Sequence, residues 1–142
     1  MSVTHFRELN VWQDAMRLAK AIYTLTAAFP REERFGLAAQ MQRAAVSIPS
    51  NIAEGNASHS RRDYARFVSM ASGSTAELQT QLLLAKDLGF ADPAEIARGL
   101  ELCEQVSKML YRLQQSLLRD PEGRSLVPGP RSQIAEDAEE YA

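Results

Sequence analysis

The sequence predicts an all-α fold, an up-down-up-down four-helix bundle, and three observations predict it. Apolar residues recur at steps of three and four along four separate stretches, each bounded by caps or helix breakers. The connections between them are short, which makes sequential helices antiparallel neighbours. No run between turn signals shows the strand-length alternation of a sheet, and there is no internal repeat.

The first helix carries Val11, Ala15, Leu18, Ile22, Leu25 and Phe29 on one face. Asn10 is the expected N-cap, with Gln13 completing a capping box, and Pro30 stops the run. Trp12, Met16, Ala19 and Tyr23 form a second stripe beside the first. One bundle core does not need both, so Trp12, Met16 and Tyr23 are the candidate oligomer interface.

The second helix is expected to begin near Arg31 to Arg34, where Glu32 and Glu33 suit the positive end of the helix dipole. Its seam is Leu37, Met41, Ala44, Ile48 and Ile52, and it passes through Pro49. A proline there removes one backbone hydrogen bond and costs about 3 kcal/mol unless the helix bends, so a kink is expected near Ala45. Ser47, Ser50 and Asn51 are placed to bond the freed carbonyl, and Gly55 and Asn56 to end the helix.

Ser60 and Asp63 read as a capping box opening the third helix, whose seam is Tyr64, Phe67, Ala71, Ser74, Leu78, Leu82 and Ala85. Gly89 is its stop. Gly73 lies inside it, where glycine costs about 1 kcal/mol relative to alanine, so close approach of a neighbouring helix is expected there. The fourth helix opens on Asp92, Pro93 and Glu95 and carries Ile96, Leu100, Cys103, Val106, Leu110, Leu113 and Leu117.

The chain of 142 residues, 45% hydrophobic, is long enough for one core. Residues 1–119 are assigned to the bundle. Residues 120–142 hold Pro121, Pro128 and Pro130 and few large apolar side chains, and they read as a disordered tail. The tail is acidic, with six acids against two bases, and the body is mildly basic, with 14 bases against 12 acids. A single cysteine excludes an internal disulfide. No stretch approaches the roughly 20 apolar residues that span a bilayer. A cytoplasmic protein without a membrane segment is expected.

Catalysis and metal binding find little in the sequence. The Glu-x-x-His pairs of a di-iron bundle are absent, and His5 and His59 do not share a helix face. Cys103 sits in a seam as a small core residue, and no serine lies in a Gly-x-Ser-x-Gly pattern. No glycine-rich phosphate loop is present, so no enzyme and no cofactor are expected. Asn51, Glu54 and Glu77, in or beside apolar runs, read as structural polar residues that bond freed backbone groups and pair with arginines such as Arg43. The remaining candidate is a basic surface. Arg61, Arg62 and Arg66 open the third helix and Arg43 lies on the second, a set suited to phosphate in RNA or DNA.

Four elements carry a family resemblance: Phe6-Arg-Glu-Leu-Asn-Val-Trp12, the stretch Arg43-Ala-Ala-Val-Ser-Ile-Pro-Ser-Asn-Ile-Ala-Glu-Gly55, Arg66-Phe67, and Ala71-Ser-Gly-Ser-Thr-Ala-Glu77. Together they resemble the bacterial four-helix-bundle family encoded in intervening sequences of 23S ribosomal RNA genes, over roughly residues 5–118. The accessory variability protein of diversity-generating retroelements is similar. The resemblance implies a cytoplasmic bundle that assembles as a ring, a homopentamer. For the retroelement relative it implies binding to a reverse transcriptase and to nucleic acid. For the intervening-sequence members it implies no settled biochemical function. This chain is near neutral, with a formal net charge of -2, and so departs from the strongly basic retroelement pattern. A non-enzymatic homo-oligomeric scaffold for RNA or a protein partner is therefore expected ahead of a nucleic-acid-binding accessory protein.

Overall fold

Each of the four apolar seams becomes one helix in the computed structural model, which describes residues 5–119. They are α1 (Asn10–Ala27), α2 (Leu37–Asn56), α3 (Arg61–Asp87) and α4 (Pro93–Leu117), with single 3-10 turns at Phe6–Glu8 and Arg31–Glu33. The region expected to be a disordered tail, residues 120–142, lies outside the described residues. Each helix packs against its neighbours in sequence, and α1 closes the ring against α4. The backbones of the diagonal pairs stay apart. This is the up-down-up-down bundle, with one core running down its axis.

The seam of α1 is buried at every position from Val11 to Phe29. In α2, Met41, Ala44, Ile48 and Ile52 are fully or almost fully inside, and in α4 so are Ile96, Cys103, Val106 and Leu110. In α3 the expected face holds at Ala71 and through the second half, at Leu78, Leu82 and Ala85. In the first half the buried face is Ala65, Val68, Ala71 and Thr75, while Tyr64, Phe67 and Ser74 are half-buried. The small residues turn inward there because α2 lies close, and Tyr64 and Phe67 pack against α2 at Gly55.

Gly55 shows how close. It is not the cap expected from sequence but a buried residue within α2, which runs on to Asn56. A Cβ on Gly55 would lie 2.9 Å from both Phe67 Cβ and Tyr64 Cδ1. Gly73, where close approach was expected, has nothing within 4 Å of the same position. The close approach that spacing assigned to Gly73 thus falls at Gly55. The chain then reverses in a short turn, in which the Ser58 hydroxyl donates to the Gly55 carbonyl and Ser60 Oγ accepts from the Asp63 N–H at 3.0 Å.

Other caps also differ from expectation. The 3-10 turn runs almost directly into α1, so Leu9 takes the N-cap position without a side-chain bond, and Asn10 is the first helical residue. Gln13 Nε2 instead donates to the Arg7 carbonyl at 2.9 Å. Arg31–Glu33 forms a separate turn, and α2 starts later, where Glu33 Oε2 accepts from the Leu37 N–H at 3.2 Å. Helix α2 continues as α-helix through the buried Pro49. The polar groups near it bond elsewhere than the freed Ala45 carbonyl: Ser47 Oγ donates to Ala44 O at 2.7 Å and Asn51 Nδ2 to Ser47 O at 2.8 Å.

At the opposite end α3 stops as expected. Gly89 takes φ +71°, the Gly89 N–H donates to Lys86 O at 3.1 Å, and the Phe90 N–H donates to Ala85 O at 3.0 Å. That double closure is a Schellman motif. It drops Phe90 onto Phe29, with ring centroids 5.6 Å apart, so the α1–α2 and α3–α4 turns meet at one end of the bundle. Asp92 Oδ1 then caps α4 by accepting from the Ala94 N–H at 2.8 Å.

The two glycines supply a paired prediction for urea unfolding of the full chain. Gly73→Ala should stabilise by about 1 kcal/mol, the ordinary helix-interior difference. Gly55→Ala should destabilise by about 1–3 kcal/mol, because the methyl group would overpack a contact formed by an aromatic ring and a Cβ. Equal effects of the same sign at both positions would contradict the packing described.

Candidate functional site

Arg61, Arg62 and Arg66 lie on the first turns of α3, beside the C-terminus of α4. They do not act as a set. The guanidinium of Arg61 donates through Nη2 to Ser116 O and through Nε to Leu117 O. These are carbonyls of the last α4 turn, which lack intrahelical donors and carry the negative end of the dipole. Arg61 therefore works as a cap supplied by another helix. Arg66 lies over the Phe67 ring, 4.6 Å from its centroid, with Asp63 Oδ1 at 4.0 Å from its Nε. Only Arg62 of the three makes no side-chain hydrogen bond or ion pair among the described residues. Arg43 projects from the middle of α2, beside Tyr23 and Val46 in a shallow surface hollow, well apart from that cluster.

The candidate structural polar residues separate as well. Asn51 is half-buried and bonded within α2, whereas Glu54 and Glu77 are exposed. Glu77 Oε1 accepts from Gln81 Nε2 at 3.3 Å. The ion pairs among the described residues are Arg17–Asp14, Arg66–Asp63 and Lys108–Glu104, so the pairing of Glu54 or Glu77 with Arg43 is not formed. The polar residues that do enter the core are Thr75, whose hydroxyl bonds Ala71 O at 2.8 Å, Thr26 and Gln81. The Gln81 carbonyl oxygen is buried with no partner among the described residues.

The candidate interface stripe divides in the same way. Trp12 is half-buried and meets Phe6 edge-on, with ring centroids 5.3 Å apart. Met16 is half-buried too, and Tyr23 is 50% exposed. Sequence reasoning missed other exposed apolar groups. Phe35, in the turn before α2, is 89% exposed, and Leu83 and Leu84 protrude from α3 and Leu88 from its C-cap. The signal for the leucines was legible: Leu82, Leu83 and Leu84 are consecutive, and at 100° per residue three neighbours cannot all face one core.

Cys103 is buried, and desolvation pushes its thiol up to about 12. A thiol held protonated in that way is a core residue and a poor nucleophile. Among the described residues no group of three His, Cys, Asp or Glu side chains is arranged to hold a metal ion, and no helix is long and apolar enough to cross a membrane.

Residues 7–112 match the model of the family described as 23S rRNA-intervening sequence protein. The fold is also that of a crystal structure, at 1.70 Å resolution, of a protein with unknown function from the S23 ribosomal protein family of Bacteroides thetaiotaomicron. The two share 21% identity with a TM-score of 0.69, over 74% of this chain and 98% of that one, a likeness that carries the fold alone. No curated protein matches the chain.

Two outcomes follow from this geometry. Arg61→Ala should lower stability by about 0.5–1 kcal/mol in thermal unfolding through loss of the α4 cap, and Arg62→Ala should leave it unchanged. For Cys103, the folded chain holds a proton that the unfolded chain releases from the ordinary value of 9.0 upward. The fold thus binds more protons between about 9 and about 12, so stability should fall as pH rises through that window. The Cys103→Ala variant should lose that part of the decline in urea titrations at pH 8 and pH 10.5.

Proposed function

The chain belongs to the 23S rRNA-intervening sequence protein family, and on that premise we propose that it is a non-enzymatic, self-associating helical bundle that serves as a scaffold for RNA or a protein partner. The observation that carries this reading is the presence of apolar side chains on two different outer faces of a bundle whose own core is already closed. Tyr23 and Val46 share a hollow on the α1–α2 face, and Leu83, Leu84 and Leu88 stand on α3.

Two unlike patches on one chain favour heterologous contacts, in which one face of a subunit meets the other face of the next, and a fixed rotation per step closes a ring. The homopentamer implied by the family resemblance is one such closure. Tyr23 is the member of the α1 stripe that such a contact would use most, since Trp12 and Met16 are half-occupied inside their own subunit. The reading as a nucleic-acid-binding accessory protein of a reverse transcriptase has thinner support. Two of its four candidate arginines, Arg61 and Arg66, are engaged within the subunit.

Light scattering of the full chain should give a multimer whose mass is unchanged between 0.1 and about 1 M salt, as an apolar contact requires. The double substitution Leu84→Glu and Leu88→Glu should reduce it to a monomer of unchanged helical circular dichroism. A wild-type monomer, or a multimer indifferent to the double substitution, would remove the proposal.

A further inference from the structure

The corner between α1 and α2 is the least explained surface of the bundle. Phe35 stands almost fully in solvent, with the Arg34 guanidinium 5.5 Å from its ring centroid. Beside it lies a hollow of about 570 Å³, whose lining includes the apolar Ala27, Phe29 and Ala38, the polar Thr26, and the cations Arg31 and Arg34. That volume falls within the roughly 300–1,000 Å³ of ordinary ligand sites. The hollow continues along α2 through Ala39 and Gln42 to Arg43. The surface therefore combines an apolar floor, a projecting aromatic ring and three cations, and it suits an amphipathic segment that is acidic on its other face.

The chain carries such a segment. Residues 132–142 hold Glu136, Asp137, Glu139 and Glu140 and no base. Ile134, Ala138 and Tyr141 are spaced i, i+4 and i+7, the pattern of helix-in-groove anchors. The reach is sufficient. The last turn of α4 lies at the end opposite the corner, about 38 Å away for a helix of 25 residues. Residues 120–133 span up to about 46–50 Å when extended. Of the nearer arginines, Arg61 is committed to the α4 carbonyls and Arg66 to Phe67 and Asp63, and the uncommitted Arg62 offers one charge against the three of the corner.

We propose that the Arg31–Arg34–Phe35 corner is the docking site for the chain's own residues 132–142, with Ile134 and Tyr141 on the apolar floor and the acids facing the arginine rim. The contact covers the most exposed aromatic residue of the bundle, and a competing acidic partner would have to displace it. It does not depend on self-association, since the reach is met within one chain.

The test uses the full chain with p-benzoylphenylalanine in place of the exposed Phe35, irradiated at low and high protein concentration and mapped by mass spectrometry. Adducts within residues 132–142 are expected, at a yield independent of concentration. Arg31→Glu with Arg34→Glu, or about 1 M salt, should lower that yield at least tenfold, and so should Ile134→Ser with Tyr141→Ser. Adducts to α3 or another segment, no adducts, or tail adducts indifferent to all three changes would overturn the proposal. Replacement of the tail adduct by one to added oligouridylate at physiological salt would assign the corner to nucleic acid instead. A monomer that still forms the tail adduct would sink the self-association reading and leave this one standing.

Discussion

The contact of α3 with α2 at Gly55 constrains the rest of the structure. A helix axis can come no nearer to another than its largest contact side chain allows, and removing the Cβ at position 55 lets Tyr64 and Phe67 rest against the α2 backbone. That position fixes how α3 is rotated about its own axis. With the two rings occupied at the side, Ala65, Val68 and Ala71 are the residues left to face the core. The same rotation carries Arg61 to the end of α4, where it covers the last carbonyls. Core composition and end capping therefore share one steric cause.

Much of this was legible in the sequence, for reasons that can be named. The seams of α1, α2 and α4 are regular and their burial follows spacing except at Leu37, Leu100 and Leu113, which are half-buried, and the caps at Ser60 and Asp92 depend only on residues two or three positions away. The positive φ at Gly89 likewise follows from local helix-ending chemistry. What failed were the residue-level inferences that needed the exact position of a second helix. Spacing gave no means to tell Gly55 from Gly73, because both sit among small residues and only the position of the neighbour distinguishes them. The first half of α3 was assigned by residue size, with Tyr64 and Phe67 inward. The close approach of α2 reversed that preference in favour of alanine and valine.

The surface was less legible than the core for a related reason. Arg61, Arg62 and Arg66 are equivalent in sequence, as three cations at a helix start, yet one caps a distant helix, one stacks on a ring and one projects. A count of charges cannot make that distinction. The exposed leucines of α3 could be anticipated from their run, whereas Phe35 could not. Its exposure arises because Arg31–Glu33 forms a separate turn and α2 begins only at Leu37, with Glu33 as its cap.

The order in which the helices touch has a kinetic consequence. Three of the four helix pairs join elements adjacent in the chain, and only α1 with α4 links the ends. Short-range pairing lowers the loop-closure entropy paid before contacts form, and bundles of this topology fold in microseconds to milliseconds. The α1–α4 seam carries the long-range cost by itself. It is also the least extensive of the four helix contacts, with a surface groove along it lined by Lys20, Thr24, Glu95 and Arg98. That seam is thus the last of the four to close during folding and the first to part during native-state fluctuations, so helix amides along it should exchange ahead of those between α2 and α3.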